Sequence, residues 1–291
     1  MKWFNRLTTG CGVMGMNYRN RHVVDVLNPK PLIGAAKDKM ATKRLLAEHG
    51  IRTPATFAEI HSPKDVRDAY PMLRQAEKGF VVKPACSSRG RGVLICRGLM
   101  EDKLLLHEDR AMSRRDFEFF VNQILCGEYS FGRPQDSALI EQRVEADTSW
   151  ILDGLPGAPD LRVITVKGKP VMAMARIPTV SSKGRANLHC GGIGVGIDLA
   201  SGTTTHAVRN DQAITHHPDT GQELSGREVE SLEECLRLAA MCYHALPLGY
   251  MGVDIMRDAA LGPVVIELNA RPGLGVQIAN RKGLLHHLES L

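Results

Sequence analysis

Aromatic residues are scarce in this chain: phenylalanine, tryptophan and tyrosine together make up 5% of 291 residues. A surface that stacks the bases of a single strand needs such rings at intervals, so that class of nucleic-acid binder is disfavoured. Nowhere do 18 consecutive apolar residues occur, which argues against a membrane-spanning helix. The weakly apolar stretch ending at Met16 is broken by Thr8, Thr9 and two glycines and is followed by Arg19 and Arg21. It lacks the continuous hydrophobic region of a signal peptide, and a cytoplasmic location is expected. The seven cysteines form no Cys-x-x-Cys pair. Their odd number and scatter read as reduced thiols and not as a disulfide framework. Cys190 beside His189 has no second Cys/His spacing to support a metal or nucleophile role. There is no internal repeat or low-complexity segment. Charge of one sign is in slight excess only: the formal net charge of +5 suits an anionic ligand without demanding nucleic acid.

What is present is ordinary globular composition, 43% hydrophobic and 24% charged, with length for two lobes and ample core. Residues 1–36 read as irregular, with one short helix from Asn20 to Leu27 stopped by Asn28-Pro29 and Pro31. Lys37-Asp38-Lys39 opens a helix that Gly50 ends. Ser62-Pro63-Lys64-Asp65 is a capping-box pattern starting a second helix that ends near Tyr70-Pro71. Residues 79–84 read as a strand, 85–92 as a flexible turn and 93–97 as the return strand. Ser113 is the expected N-cap of an amphipathic helix carrying Phe117, Phe120, Val121, Ile124 and Leu125. Residues 138–144 read as a strand leading into a linker, 161–167 and 170–177 as a hairpin around Gly168-Lys169, and 226–245 as a long helix. Helices and strands mix without strict βαβ alternation, so the expected fold class is α+β with antiparallel sheets. A short N-terminal segment, 1–36, is expected to precede a first lobe, 37–137, and a second, 138–291.

The stretch from Tyr250 to Gly273 carries the strongest local pattern. Two runs rich in Val, Ile and Met flank a turn-prone segment ending in Gly262-Pro263, a hairpin signal. With the loop centred near Ala260, Asp254 faces Glu267 across the pair. Two carboxylates so placed repel each other, and an uncompensated buried charge is costly. Two readings stay open here: a cation held by Asp254, Glu267 and the Asn269 carbonyl, whose hard oxygens suit magnesium, or a hairpin with a solvated acidic edge. Elsewhere, Lys83 ends a strand and is followed by Ser87-Ser88-Arg89-Gly90-Arg91-Gly92. Such a loop lets backbone N–H groups approach an anion while the lysine adds a point charge. That loop is neither a Walker A loop nor a Gly-x-Gly-x-x-Gly fingerprint, and no Gly-Lys-Ser/Thr occurs in the chain. Taken singly, Lys39, Arg176, Arg185 and Asn187 read as ordinary surface residues.

Their order along the chain is more specific than any member of the set. A lysine before a helix, a strand-Lys-Pro before a Gly-rich turn and an Ile-Glu-Gln strand come first. Asp-x-Arg before a hairpin, Arg-x-Asn before glycines, and Asp…Glu-x-Asn-x-x-Pro-Gly follow. From about Lys37 to Gly275 this resembles the ATP-grasp superfamily, in particular its RimK-type alpha-L-glutamate ligase-like branch. The resemblance implies two lobes with antiparallel sheets clasping a nucleotide. It implies that Lys39 and Lys83 contact ATP phosphates and that Ser88, Gly90 and Gly92 belong to the loop closing over them. Glu141, Gln142 and Val144 fall where the family's hinge grips adenine, and Asp160 matches a nucleotide-contacting aspartate. Arg176 looks like the phosphate-contacting arginine, and Arg185 with Asn187 like the pair near the γ-phosphate and acceptor carboxylate. Asp254, Glu267 and Asn269 look like ligands of magnesium, with manganese as an alternative.

Three departures accompany the resemblance. The family carries a further domain of about a hundred residues before its first lysine, so that domain is expected to be largely missing here. Gly252 stands where D-alanine–D-alanine ligases have an arginine, which argues against that branch. The loop reads Cys86-Ser87-Ser88 where Gly-Ser is usual. The opening Gly15-Met16-Asn17…Arg19-Asn20 looks like a group known only as ligase-related. The implied activity is ATP-dependent joining of a carboxylate and an amine through an acyl phosphate, with glutamate, or a peptide or protein carboxyl end, as the substrate. Neither nucleic acid nor a membrane is an expected partner, and self-association is left open. The alternatives are an ATP-binding module without ligase activity and, last, a nucleic-acid binder with steep salt dependence.

Overall fold

The computed structural model describes residues 12–87, 90–100, 103–106, 110–130 and 132–289. They divide into two compact units, one formed by 37–44 and 53–145, the other by the described parts of 1–36, 45–52 and 146–291.

In the smaller unit, strands β1 (Thr56–Ile60), β2 (Phe80–Pro84) and β3 (Leu94–Cys96) form an antiparallel sheet with a strand from much later in the chain. Short strands β4 (Gly98–Met100), β5 (Lys103–Leu105) and β6 (Ala111–Ser113) make a separate three-stranded sheet. Three residues per strand show no readable alternation, so this sheet was not anticipated. Strand β7 (Ala138–Gln142) closes the first sheet in the order β1-β7-β2-β3. It lies between β1 and β2, and the larger unit takes over at Ala146.

Three helices in this unit begin where their caps place them. Asp38 Oδ1 accepts the N–H groups of Met40 and Ala41 at 2.9 and 3.1 Å, starting the helix Lys39–Glu48. Ser62 and Asp65 form the expected capping box at the head of Pro63–Leu73. That helix runs through Pro71, beyond its expected end, because its last turn buries Tyr70 and Leu73 in the core. Packing of an apolar face outweighs the one hydrogen bond a proline removes. Ser113 Oγ accepts the Asp116 N–H at 3.1 Å and caps Arg114–Leu125. This last helix lays Phe117, Val121 and Ile124 onto the sheet, with Phe117 edge-on to Phe80 at 6.0 Å.

The larger unit is built on a seven-stranded antiparallel sheet. Its strands are β8 (Asp160–Val166), β9 (Lys169–Ile177), β10 (Ile193–Asp198), β11 (Thr203–Arg209), β12 (Gln212–Ile214), β13 (Tyr250–Asp258) and β14 (Gly262–Asn269), in the order β12-β11-β10-β9-β8-β13-β14. The β8–β9 turn uses Lys167 and Gly168, both at positive φ, one residue before the expected position. The helix Leu232–Ala245 turns Leu232, Cys235, Leu238, Ala239, Cys242 and Ala245 toward the sheet. It starts six residues later than its apolar spacing suggests. The stretch before it bonds instead to the start of β11: the Gly226 N–H donates to Thr204 O, and Val229 N–H to Gly202 O, each at 2.9 Å.

Near the N-terminus, Met16–Tyr18 and Asp25–Leu27 are α-helical and flank π-helical Arg19–Val24. Helical structure ends at Leu27 as expected, with Asn28 extended, and a further helix that was not expected, Lys30–Lys37, then begins with the Pro29 carbonyl accepting from Leu32 and Ile33. Pro31 sits in the first turn, where no N–H is required.

Candidate functional site

The β13–β14 hairpin has the register that alternation implied: Asp254 opposes Glu267, Val253 opposes Leu268, and Gly252 opposes Asn269. A bulge after Asp254 shifts the remaining pairs by one, so Ile255 opposes Val265. The neighbouring strands bring in residues far away in sequence. Arg162 of β8 lies opposite Asp254, and Arg176 of β9 lies opposite Asp160. Directly opposed residues share a sheet face, so Asp160, Arg162, Arg176, Asp254, Glu267 and Asn269 stand together.

The Asp254 carboxylate is almost fully enclosed by guanidinium groups. Arg162 donates to it in a fork, Nε to Oδ1 at 2.7 Å and Nη2 to Oδ2 at 2.6 Å. Arg176 Nη2 adds a bond to Oδ2 at 2.8 Å and grips Asp160 at 2.5 and 2.7 Å. Asn269 reaches Asp254 Oδ2 through its amide nitrogen at 3.4 Å. Burial alone would raise the pKa of Asp254, but Arg162 and Arg176 outweigh it and hold the group below the usual carboxylate range. Burial dominates at Asp160, where Arg176 opposes it and Asp254 adds to it, and the net direction is up. Burial disfavours the charge on Arg176, yet Asp160 and Asp254 prevail and keep it protonated. The counter-charge expected of a metal at Asp254 is thus supplied here by two arginines. Arg162 entered the sequence reading only as the arginine of the Asp-x-Arg motif, with no role of its own.

Among the described residues, no three His, Cys, Asp or Glu side chains are grouped to hold a metal ion. The expected set comprises two carboxylates and an amide, and it lies on opposed positions of one hairpin. Oxygen donors of this type fit magnesium or manganese. Gly252 itself leaves no room for an arginine, because a Cβ there would stand 2.6 Å from Pro272 Cβ.

In the smaller unit, β7 and β2 run side by side and carry Glu141 and Lys83, both buried. Glu141 Oε1 meets Lys83 Nζ at 2.5 Å, and Oε2 meets Lys43 Nζ at 2.7 Å. Lys43, on the first turns of the helix Lys39–Glu48, was also missed. Burial pushes the Glu141 pKa up, and the two ammonium groups more than reverse this, so the group sits below its ordinary 4.5. Burial lowers the Lys43 pKa despite Glu141. Lys39 Nζ donates to the Ser87 carbonyl at 2.7 Å. Gln142 pairs through its backbone N–H with Ala55 O at 2.8 Å, and Val144 lies half-buried just past the strand. Gly90 and Gly92 both adopt positive φ, and Tyr129 and Pro84 pack where a Gly92 Cβ would stand. Ser88 lies outside the described residues.

Arg185 and Asn187 lie on the segment between β9 and β10. Arg185 is exposed, whereas Asn187 caps the short 3-10 turn Leu188–Cys190, its Oδ1 accepting from His189 N at 2.9 Å. The structure does not join Asn187 to the Asp254 network by any hydrogen bond among the described residues.

Both depressed carboxylates make stability depend on acid. Glu141 and Asp254 contribute stability that is fully present above their unfolded values, near 4.5 and 3.8. That contribution is lost as pH falls through their lower folded values. Asp160, shifted up, acts in the opposite sense and regains stability on protonation. A thermal midpoint that is level between pH 6 and about 5 and falls below about 4 is expected in a scan of melting against pH. A midpoint rising steadily into acid would show that the Asp160 contribution dominates.

The chain matches, over residues 18–291, the family described as sugar-transfer associated ATP-grasp, and it belongs to that family. Its fold is the ATP-grasp fold. Among curated proteins it is similar to a probable alpha-L-glutamate ligase of Aeromonas salmonicida, 28% identical over 260 residues covering 88% of this chain and 63% of the relative. A probable alpha-L-glutamate ligase of Parasynechococcus marenigrum is 26% identical over 263 residues, covering 90% of this chain and 42% of the relative. The chain therefore spans less than two thirds of the length of these relatives. The crystal structure of D-cycloserine synthetase DcsG superimposes with a TM-score of 0.53 at 17% identity, covering 99% of this chain and 79% of that one. At that identity the likeness concerns the fold alone. No helix among the described residues is long and apolar enough to cross a membrane.

Proposed function

We propose that the chain is an ATP-dependent carboxylate–amine ligase that forms an amide through an acyl phosphate. The observation that carries this reading is the set of oxygen donors Asp254, Glu267 and Asn269 on one hairpin, flanked by the buried Arg176 and the half-buried Arg162. A divalent cation held by these oxygens would neutralise charge on a transferring phosphoryl group. Arg176, buried and permanently charged, would orient phosphate oxygens, and Arg162 would be released to do so whenever Asp254 took another partner. In the smaller unit, Glu141 fixes the Lys83 ammonium so that its charge is aimed before the nucleotide arrives. Lys39 and the glycines 90 and 92 would lie along the phosphates and exclude water, which matters because acyl phosphates hydrolyse readily. Arg185 and Asn187 are proposed to hold the acyl phosphate and its tetrahedral successor. Glutamate or another amino acid is the proposed amine, and a carboxyl group of a small molecule, peptide or protein the proposed carboxylate.

ADP release measured with magnesium and ATP, over a panel of carboxylates and amines, tests the proposal. Release that requires one of each is expected. Equal release with neither organic substrate would contradict it. One observation favours the second reading, an ATP-binding module without ligase activity: both Asp254 oxygens are already taken by arginines. Nucleotide binding in calorimetry with no turnover across that panel would select it.

A further inference from the structure

Alternation along β13 sends Tyr250, Gly252 and Asp254 to one face of the sheet. Gly252 contributes no side chain, and Pro272, from the turn after β14, packs into the space it leaves. Arg19, in the opening segment whose sequence stood out earlier, donates from Nη1 to the Pro272 carbonyl at 2.7 Å and to the Arg271 carbonyl at 3.5 Å. Arg162 Nη1 approaches Gly273 on the same turn, 4.0 Å from its Cβ position. Asn28 clamps the start of β13: its amide donates to the carbonyls of Tyr250 and Ala270 at 2.8 and 3.1 Å and accepts the Tyr250 N–H at 2.8 Å. The Tyr250 backbone is therefore anchored by Asn28 at the start of the strand.

The Tyr250 side chain is fully buried, and its hydroxyl has no hydrogen-bond partner among the described residues. Buried hydroxyls without partners are rare and costly. The charged groups that act on it are Arg19 and Arg162, yet neither bonds to it. Arg162 is balanced by Asp254, whereas the partners of Arg19 are uncharged: two carbonyls and the Asn20 amide oxygen. Arg271, beside Arg19, adds further positive charge and is met by Asp25 only at 3.9 Å.

We propose that Tyr250, Arg19 and Arg162 form a subsite for the carboxylate group of an organic acid. A carboxylate has two oxygens that accept from a guanidinium and a phenol together, and a single negative charge suits the local surplus. Access to the buried hydroxyl would require the Arg19 side chain and the 271–273 turn to draw back, and Arg162 ties the subsite to Asp254. Taking this acid as the ligase substrate rests on the function proposed above; the subsite itself does not.

Calorimetric titration of the full chain with acetate, glutarate and L-glutamate, each against its neutral amide and without nucleotide or metal, tests the subsite. At least one of the acids should bind, and its amide should not. Tyr250→Phe should weaken that acid about tenfold, the loss of one hydrogen bond to a charged group, and Arg19→Lys by more. In the same preparation Tyr250→Phe should melt no lower than the wild type in the absence of ligand, because the hydroxyl it removes is unpaired. A purely structural tyrosine would give lower melting and unchanged affinity. Unchanged affinity in Tyr250→Phe would overturn the proposal, as would failure of every acid to bind the wild type. Inorganic phosphate binding more tightly than the acids would overturn the carboxylate assignment. Should the ligase reading fail, it does so separately, as absence of ADP release while acid binding persists.

Discussion

Glu267→Ala is expected to lower turnover by at least a hundredfold and to weaken magnesium-dependent nucleotide binding. Glu267 opposes Asp254 across the hairpin and shares its sheet face with Asn269. Loss of one preorganised contact to developing charge costs on the order of 3 kcal/mol, or about a hundredfold in rate. The fold should tolerate the change, since Glu267 is half-buried on the last strand of the sheet. Glu233→Ala, on the exposed side of the helix Leu232–Ala245, serves as the control and should leave turnover intact. Comparable turnover in the two variants would remove Glu267 from the reaction.

The second large effect concerns stability. Glu141→Ala leaves Lys83 and Lys43 with no carboxylate between them in a buried position. Removing one partner of a buried ion pair costs about 3–5 kcal/mol, because the remaining charge loses its compensation. Lys43→Met should cost less, since it leaves the Glu141–Lys83 pair intact and removes an ammonium that burial already disfavours. Urea midpoints of the two variants measure the difference. A smaller loss in Glu141→Ala than in Lys43→Met would show that Glu141 does not organise the two lysines.

The hairpin of β13 and β14 was legible because its register follows from one short loop and a period of two. Asp254 and Glu267 are separated by a dozen residues, and alternation alone settles which residues face each other. Arg162 was not legible, since it meets Asp254 only through the pairing of β8 with β13, 92 positions away in sequence. The same holds for Lys43 and Glu141, 98 positions apart. Beyond the Asp-x-Arg motif, a charged residue at a strand position next to an apolar run, such as Arg162 within 161–166, was a further signal. It marks a partner without naming it.

Local rules succeeded where a side chain bonds to its own neighbourhood, as at Asp38, Ser62 and Ser113. They failed where tertiary bonding competes. Asn28-Pro29 read as a stop and the preceding helix does end at Leu27, but a second helix, Lys30–Lys37, was not foreseen to start on the same prolines. Residues 226–231 have helical spacing, but they bond to the strand that begins at Thr203. The α+β class and antiparallel sheets followed from the absence of βαβ alternation, whereas the β4–β6 sheet was too short to announce itself.

Calorimetric binding of a non-hydrolysable ATP analogue, with magnesium and again with a chelator present, tests the central claim most directly. Asp254, Glu267 and Asn269 are held to gather a divalent ion that also grips a triphosphate, so affinity should fall by about a hundredfold or more when the ion is removed. Equal affinity with and without the ion, or no binding in either case, would contradict that claim.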